Sequence, residues 1–161
     1  MNIRLYEINP TYIAYLSTYA PHLFHNKQST QIYSRKYVGI ILTINSLNYF
    51  APLSSYKPKH PKINASIDLI KLKDYAVINL NNMLPVPQGL FSPVDIPKEK
   101  NPHYKALLQS EYRIIKSLQH IIFRNARIVY QHKICHGNST PLAQRCNDFL
   151  QLENACRNYS K

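Results

Sequence analysis

The chain has 161 residues, 45% of them hydrophobic, and its 20 Lys and Arg against 8 Asp and Glu leave a formal net charge of +12. That length buries about 70% of the unfolded surface in one domain, read as residues 1–161. A field of this sign favours polyanions through counterion release, so nucleic acid is the expected partner. Charges within residues 1–7 argue against a secretory core, and the strongest apolar run, residues 38–44, is far too short to cross a bilayer. Cys135, Cys146 and Cys156 form no zinc-type pairs and suit reduced thiols, so the expected location is cytoplasmic.

Residues 3–8 alternate as a short first strand, and Asn9-Pro10 then offers a cap and a first-turn proline for a helix carrying Tyr12, Tyr15, Leu16 and Tyr19 at helical spacing. Residues 20–35 read as a loop. Residues 37–44 and 48–53 are the clearest strand pair, joined by the turn-prone Asn45-Ser46. Residues 57–62, with prolines at 58 and 61, form a loop. Strands follow at 66–72 and 75–80 across Lys73-Asp74, and residues 84–97, with four prolines, read as a short edge strand with loops.

From Pro102 the pattern turns helical. Leu107, Leu108, Ile115, Leu118, Ile122 and Val129 keep one face of a long helix, Gly137 marks its C-cap region, and a last helix covers roughly residues 147–159. Strands first and a helical C-terminal third predict an α+β fold, with helices packed on an antiparallel sheet.

The long helix carries a second signal. Arg113, Lys116, His120, Arg124 and Arg127 fall within a stripe of roughly 80° at 100° per residue. Phe123 borders it, where an aromatic ring can stack on a base. Stabilising Glu–Lys pairs are the usual surface pattern, and this stripe contains no acid. It reads as a contact for RNA backbone; the plain alternative is a solvated helix face.

The chemistry concentrates where the strand ending Ala51-Pro52-Leu53 runs into Ser54-Ser55, followed by Lys57, Lys59, His60 and Lys62. Residues 1–65 hold seven Lys and Arg and one acid, Glu7. No two of the eight acids lie within three residues of each other, which argues against a metal-dependent nuclease. RNA can instead be cut by its own 2′-OH if the protein removes that proton, steadies the phosphate charge and protonates the leaving 5′-oxygen. Hydroxyls, Lys, His and Tyr suffice for those roles, although Ser-Ser after a strand is also common turn chemistry. The alternatives are a non-catalytic RNA-binding module and, with weaker support, a DNA-binding protein, since no helix-turn-helix or zinc pattern appears.

Several segments carry a family resemblance. They are Tyr12-Ile13-Ala14-Tyr15-Leu16, Tyr37-Val38-Gly39-Ile40-Ile41-Leu42, Tyr49-Phe50-Ala51-Pro52-Leu53-Ser54-Ser55 and Ile78-Asn79-Leu80-Asn81-Asn82-Met83-Leu84-Pro85-Val86. Cys146-Asn147-Asp148-Phe149, Leu152-Glu153 and Cys156-Arg157-Asn158-Tyr159 close the chain. In this order they resemble the ToxN/AbiQ family, the toxins of type III toxin–antitoxin systems, to which CptN-type members are similar. The resemblance implies a sequence-selective, metal-independent endoribonuclease without a cofactor, built on a compact MazF/Kid-like barrel core with added helices. It also implies a repeat-derived, pseudoknotted RNA antitoxin that inhibits the toxin in a cyclic assembly, with release during phage infection halting growth.

Carried over residue by residue, the resemblance puts the essential hydroxyl on Ser55, preceded by Ser54, with Lys57 nearby. The basic residue ahead of the strand glycine falls on Arg35 and the helical tyrosine on Tyr12. Arginine at 35 suits a phosphate clamp better than a general base. A serine hydroxyl is a poor base, so Ser55 is read as hydrogen bonding to the 2′-OH or scissile phosphate. Tyr12 or His60 is left to handle a proton, and Lys36, Lys59 and Lys62 join the RNA-binding set.

Overall fold

A computed structural model describes residues 2–20, 35–55 and 66–160. Strand β1 (Arg4–Ile8) leads into helix α1 (Pro10–Ser17). The Asn9 side chain accepts from the N–H groups of Thr11 and Tyr12 at 2.9 and 3.2 Å, and Pro10 takes a first-turn position where its missing donor costs nothing. The same device opens α2 (Pro102–Ser117) at Asn101 and α4 (Pro141–Arg145) at Thr140.

Strands β2 (Tyr37–Ile44) and β3 (Leu47–Ser55) form a hairpin. Its two-residue turn places Asn45 and Ser46 at φ of 49° and 67°, the type I′ form whose twist matches the strands. β3 is the centre of the sheet. β2 lies along one side, and β5 (Ala76–Asn79) and β6 (Leu84–Val86) share the other. β4 (Leu69–Leu72) flanks β5, and β7 (Phe91–Pro93) flanks β1.

Every pairing is antiparallel, as expected for the α+β class. The expected barrel is not closed among the described residues: the sheet runs from β4 to β7, and those two edges do not pair. Both edge strands are short, and β7 ends on Pro93, which has no N–H to extend a ladder.

Other expectations shift at their ends. The strand expected over 66–72 begins at Leu69, because Asp68 is buried and held by Arg145 at 2.6 and 2.8 Å. The strand expected over 75–80 stops at Asn79, where a 3-10 turn, Leu80–Asn82, begins. Residues 84–97 supply two strands and a second 3-10 turn, Ile96–Lys98, where one edge strand was expected.

The long helix is two. α2 ends at Ser117 and α3 (Gln119–His136) follows Leu118, whose backbone (φ −100°, ψ 7°) leaves the helical range. No glycine or proline marks the break, but the Ser117 hydroxyl bonds back to the Ile114 carbonyl at 2.7 Å, a contact that bends helices. α2 packs on β4 and α3 on β2. Gly137 (φ 58°) ends α3, and the last helix is α5 (Phe149–Arg157).

The sheet separates two apolar layers, because successive strand residues face opposite sides. Tyr49, Ala51 and Leu53 of β3 join the core formed with α2 and α3. Phe50 joins the core formed with α1 and part of α5. Gly39 leaves the space that the Phe50 ring fills; a Cβ there would overlap the ring. Among the described residues no helix is long and apolar enough to cross a membrane.

Candidate active site

The β3 strand runs through both serines, two residues past the expected end at 53. Its register with β5 pairs Ser54 with Val77 and Ser55 with Ala76. Ser54 therefore shares a face with Val77 and, one pair along, Asn79, while Ser55 takes the face of Leu53 and Ala76. Ser54 is buried, and Ser55, beyond the last core residue on its face, is exposed.

Arg35 stands across from Ser54. The Leu53 N–H donates to the Lys36 carbonyl at 3.0 Å, and Tyr37 pairs with Pro52, so the β2–β3 ladder carried two residues outward brings 35 opposite 54. The Arg35 Nη1 donates to Ser54 Oγ at 3.2 Å and lies 3.4 Å from the Leu53 carbonyl. From the other side Asn79 Nδ2 donates to the same Oγ at 3.0 Å. Burial pulls the Arg35 pKa below its ordinary value, opposed by the neighbouring Tyr37; guanidinium remains charged even so.

The structure thus brings Arg35 to Ser54 and turns Ser55 to the other side of the strand. Consecutive Cα atoms are about 3.8 Å apart, so the two serines stand side by side at one strand end with their side chains on opposite faces. Lys57, Lys59, His60 and Lys62 lie outside the described residues.

Two expected site residues are placed otherwise. Tyr12 is fully buried, donates its phenol to the Pro85 carbonyl at 2.6 Å and packs edge-on against Tyr159. Burial raises its pKa far above the usual phenol range, so Tyr12 keeps its proton and packs within the core. Lys36 is also buried; its Nζ meets Glu7 Oε1 at 2.9 Å and lies 5.7 Å from the centre of the Tyr104 ring. It braces β1 and is not presented to an RNA backbone.

The basic stripe crosses the helix break. Arg113 and Lys116 belong to α2, and His120, Arg124 and Arg127 to α3; all five are exposed. Phe123 is half-buried and packs against the core formed with α2 and α3. Ile121 and Ile128 of α3 are also exposed.

Nothing in the sequence singles out Asn79. It lies inside the Ile78-to-Val86 segment, but an asparagine at a strand end is ordinary, and only the β3–β5 register shows that it reaches Ser54. The closing segments are largely structural. Asn147 donates its N–H to the Asn81 carbonyl at 2.9 Å and its amide to the Met83 carbonyl at 3.3 Å. Asp148 caps α5, accepting from the Gln151 N–H at 3.1 Å. Glu153, buried, accepts phenol protons from Tyr49 and Tyr130 at 2.7 and 2.6 Å.

The chain is similar along its length to several known proteins. It is 29% identical over 168 residues to endoribonuclease ToxN of Bacillus thuringiensis subsp. kurstaki, covering 99% of this chain and 86% of the relative. It is 28% identical over 173 residues to endoribonuclease AbiQ of Lactococcus lactis subsp. lactis, covering 100% and 91%. Among solved structures, it matches a toxin from a study of selective toxin inhibition by a non-coding RNA pseudoknot in bacterial type III systems. That match has a TM-score of 0.84 at 27% identity and covers 99% and 98% of the two chains. AbiQ itself, a lactococcal anti-phage endoribonuclease of a type III system, matches at a TM-score of 0.81 and 25% identity, covering 98% and 97%. With residues 4–157 matched by the family of toxin ToxN, type III toxin–antitoxin system, the chain belongs to that family of toxins.

Proposed function

We propose that this protein is an endoribonuclease that cuts RNA without metal by attack of the substrate's own 2′-OH on the neighbouring phosphorus. The P–O5′ bond breaks as the 2′-O–P bond forms. The 2′ proton leaves to a base, and a proton is supplied to the departing 5′-oxygen, giving a 2′,3′-cyclic phosphate and a 5′-hydroxyl. The observation that carries this reading is the donor cluster of Arg35, Asn79 and Ser54 beside the exposed Ser55 at one strand end. It contains hydroxyl, amide and guanidinium groups suited to a phosphate that gains negative charge.

Within that site Ser55 hydrogen-bonds the 2′-OH or the phosphate, and Arg35 with Lys57 neutralises the phosphate. His60 is the proton-transfer candidate, since Tyr12 is sealed in the core. The exposed basic residues of α2 and α3 supply RNA-backbone contact, joined by Lys59 and Lys62. The relatives' activity and the family's type III systems support an RNA antitoxin that occupies and inhibits the enzyme; its origin in transcript repeats and the cyclic assembly rest on the family resemblance, and the cytoplasmic location on the cysteine usage. Freed toxin would arrest growth during phage infection. A MazF/Kid-like origin of the sheet rests on the family resemblance.

The test is incubation of the protein with a mixed-sequence transcript in excess EDTA. Cleavage to cyclic-phosphate ends is expected, together with its loss in Ser55→Ala. Binding without cleavage would make the protein an RNA-binding module instead. Tandem short repeats ahead of a terminator, just upstream of the gene, would identify the antitoxin.

A further inference from the structure

Ser54 lies in the cluster with its hydrogen-bonding capacity almost fully assigned. A serine hydroxyl offers two acceptor sites and one donor. Arg35 Nη1 at 3.2 Å and Asn79 Nδ2 at 3.0 Å both donate to Ser54 Oγ. Guanidinium has no acceptor to offer in return, and the amide nitrogen has none either. With both acceptor sites filled, the Ser54 hydroxyl can make a further hydrogen bond only as a donor, through its single hydrogen. A hydroxyl held this way is a poor base and a poor nucleophile but a well-oriented donor, and its donor strength rises because its oxygen is polarised by a cation.

Asn79 is held firmly enough to perform that service. It closes β5, and the next residue, Leu80, donates its N–H to the Asp68 carbonyl at 2.8 Å. Asp68 is clasped by Arg145, and Asn147 binds the Asn81 carbonyl at 2.9 Å. The turn after Asn79 is therefore tied directly to the segment after α4 through Asn81 and to α4 itself by way of Asp68, and the amide meets Ser54 along the sheet face.

We propose that Asn79 is a positioning residue for RNA cleavage: together with Arg35 it locks Ser54 as an obligate hydrogen-bond donor to a non-bridging oxygen of the scissile phosphate. This deepens the nuclease reading above and rests on it. The two serines then differ in what they serve, Ser54 the phosphate oxygen and Ser55, on the other face, the 2′-OH. No covalent bond to Ser54 forms, and its proton stays on Oγ throughout.

The decisive variant is Asn79→Asp, which keeps the side chain's shape while replacing the donating NH2 by an accepting oxygen. The Ser54 hydrogen then turns to the carboxylate and away from the phosphate. A site cut in the mixed transcript is resynthesised as an oligonucleotide, and kcat and KM are measured for the wild type, Asn79→Asp, Ser54→Ala and the double variant, with thermal unfolding in parallel. The expected result is a fall in kcat of about 10²-fold for Asn79→Asp with KM within about twofold, as for loss of one oxyanion donor. In the Ser54→Ala background the same change is expected to add almost nothing.

At low pH, protonation of the introduced carboxyl restores a donor, so the Asp variant should regain kcat relative to the wild type as pH falls. Unchanged kcat, or a loss that adds in full to that of Ser54→Ala, would overturn the proposal. Should the Asp variant fail to fold, Asn79→Ala replaces it. It empties one acceptor site without adding a competitor, so a smaller kcat loss that also vanishes without Ser54 is expected, and a loss that persists there overturns the idea. A wild type that binds the oligonucleotide but never cuts it sinks the nuclease reading itself, which is a separate outcome.

Discussion

Tyr49 and Tyr130 donate their phenol protons to the same oxygen, Oε1 of Glu153, at 2.7 and 2.6 Å, with their ring centroids 5.7 Å apart. One residue comes from the central strand and the other from α3, and the carboxylate comes from α5. A single buried acid thereby joins the sheet to both helices. Arg157, 3.8 Å from its second oxygen, offsets part of the cost of burying the charge.

Removing that acceptor should therefore be expensive. Glu153→Ala strands two buried hydroxyls and is expected to lower stability by about 3 kcal/mol. Glu153→Gln, which keeps one carbonyl acceptor, should cost only about 1–2 kcal/mol. Urea unfolding of both variants checks the order; equal losses would mean that the acceptor oxygen is not what matters.

Glu111 predicts a pH effect of the opposite kind to the usual acid denaturation. It is buried on α2, and burial pushes its pKa from the ordinary 4.5 to about 7. The folded state therefore holds this proton more tightly than the unfolded chain does. Stability from this group is fully present below about 4.5 and is lost as pH rises toward about 7, by roughly 2–3 kcal/mol in all. Glu111→Gln should be more stable than the wild type at pH 8 and nearly equal to it at pH 4.5. A difference independent of pH in that window would refute the assignment.

Arg35 should matter to rate more than to folding. Arg35→Ala removes one of the two donors on Ser54 and, on the proposed mechanism, the cation that neutralises the phosphate. Its kcat should fall by about 10²–10³-fold, and Arg35→Lys should recover only part of this, because a lysine has no planar fork to share. Single-turnover cleavage at saturating RNA is the appropriate measurement.

For the helix surface, Arg124→Ala combined with Arg127→Ala should weaken antitoxin RNA binding and flatten its dependence on salt. Two lost phosphate contacts reduce the slope of log K against log salt by about 1.4–1.8. Unchanged affinity and slope would show that this exposed face of α3 is simply solvated.

Much of the fold is readable from local physics. Asn9-Pro10 announces α1, Asn45-Ser46 closes the β2–β3 hairpin, and the 3.6-residue rhythm after Pro102 marks helix, because each depends on neighbours in sequence. Thr140-Pro141 carries the same helix-start signal for α4, a five-residue helix too short to show periodicity. The break at Leu118 has no such local mark beyond Ser117, since it reflects α2 and α3 packing on different strands.

The site divides along the same line. Residue types, net charge and family pattern by themselves pointed to the strand end bearing Ser54 and Ser55 as the candidate site and named Arg35 as its expected phosphate clamp. Only the tertiary structure decided which groups meet. Strand register carries Arg35 and Asn79 to Ser54 from two different strands and turns Ser55 to the opposite face. Burial removes Tyr12 and Lys36 from the surface. A one-residue shift of register would exchange the faces of both serines, and nothing within a single strand records that register; it is set by the cores on the two sides of the sheet.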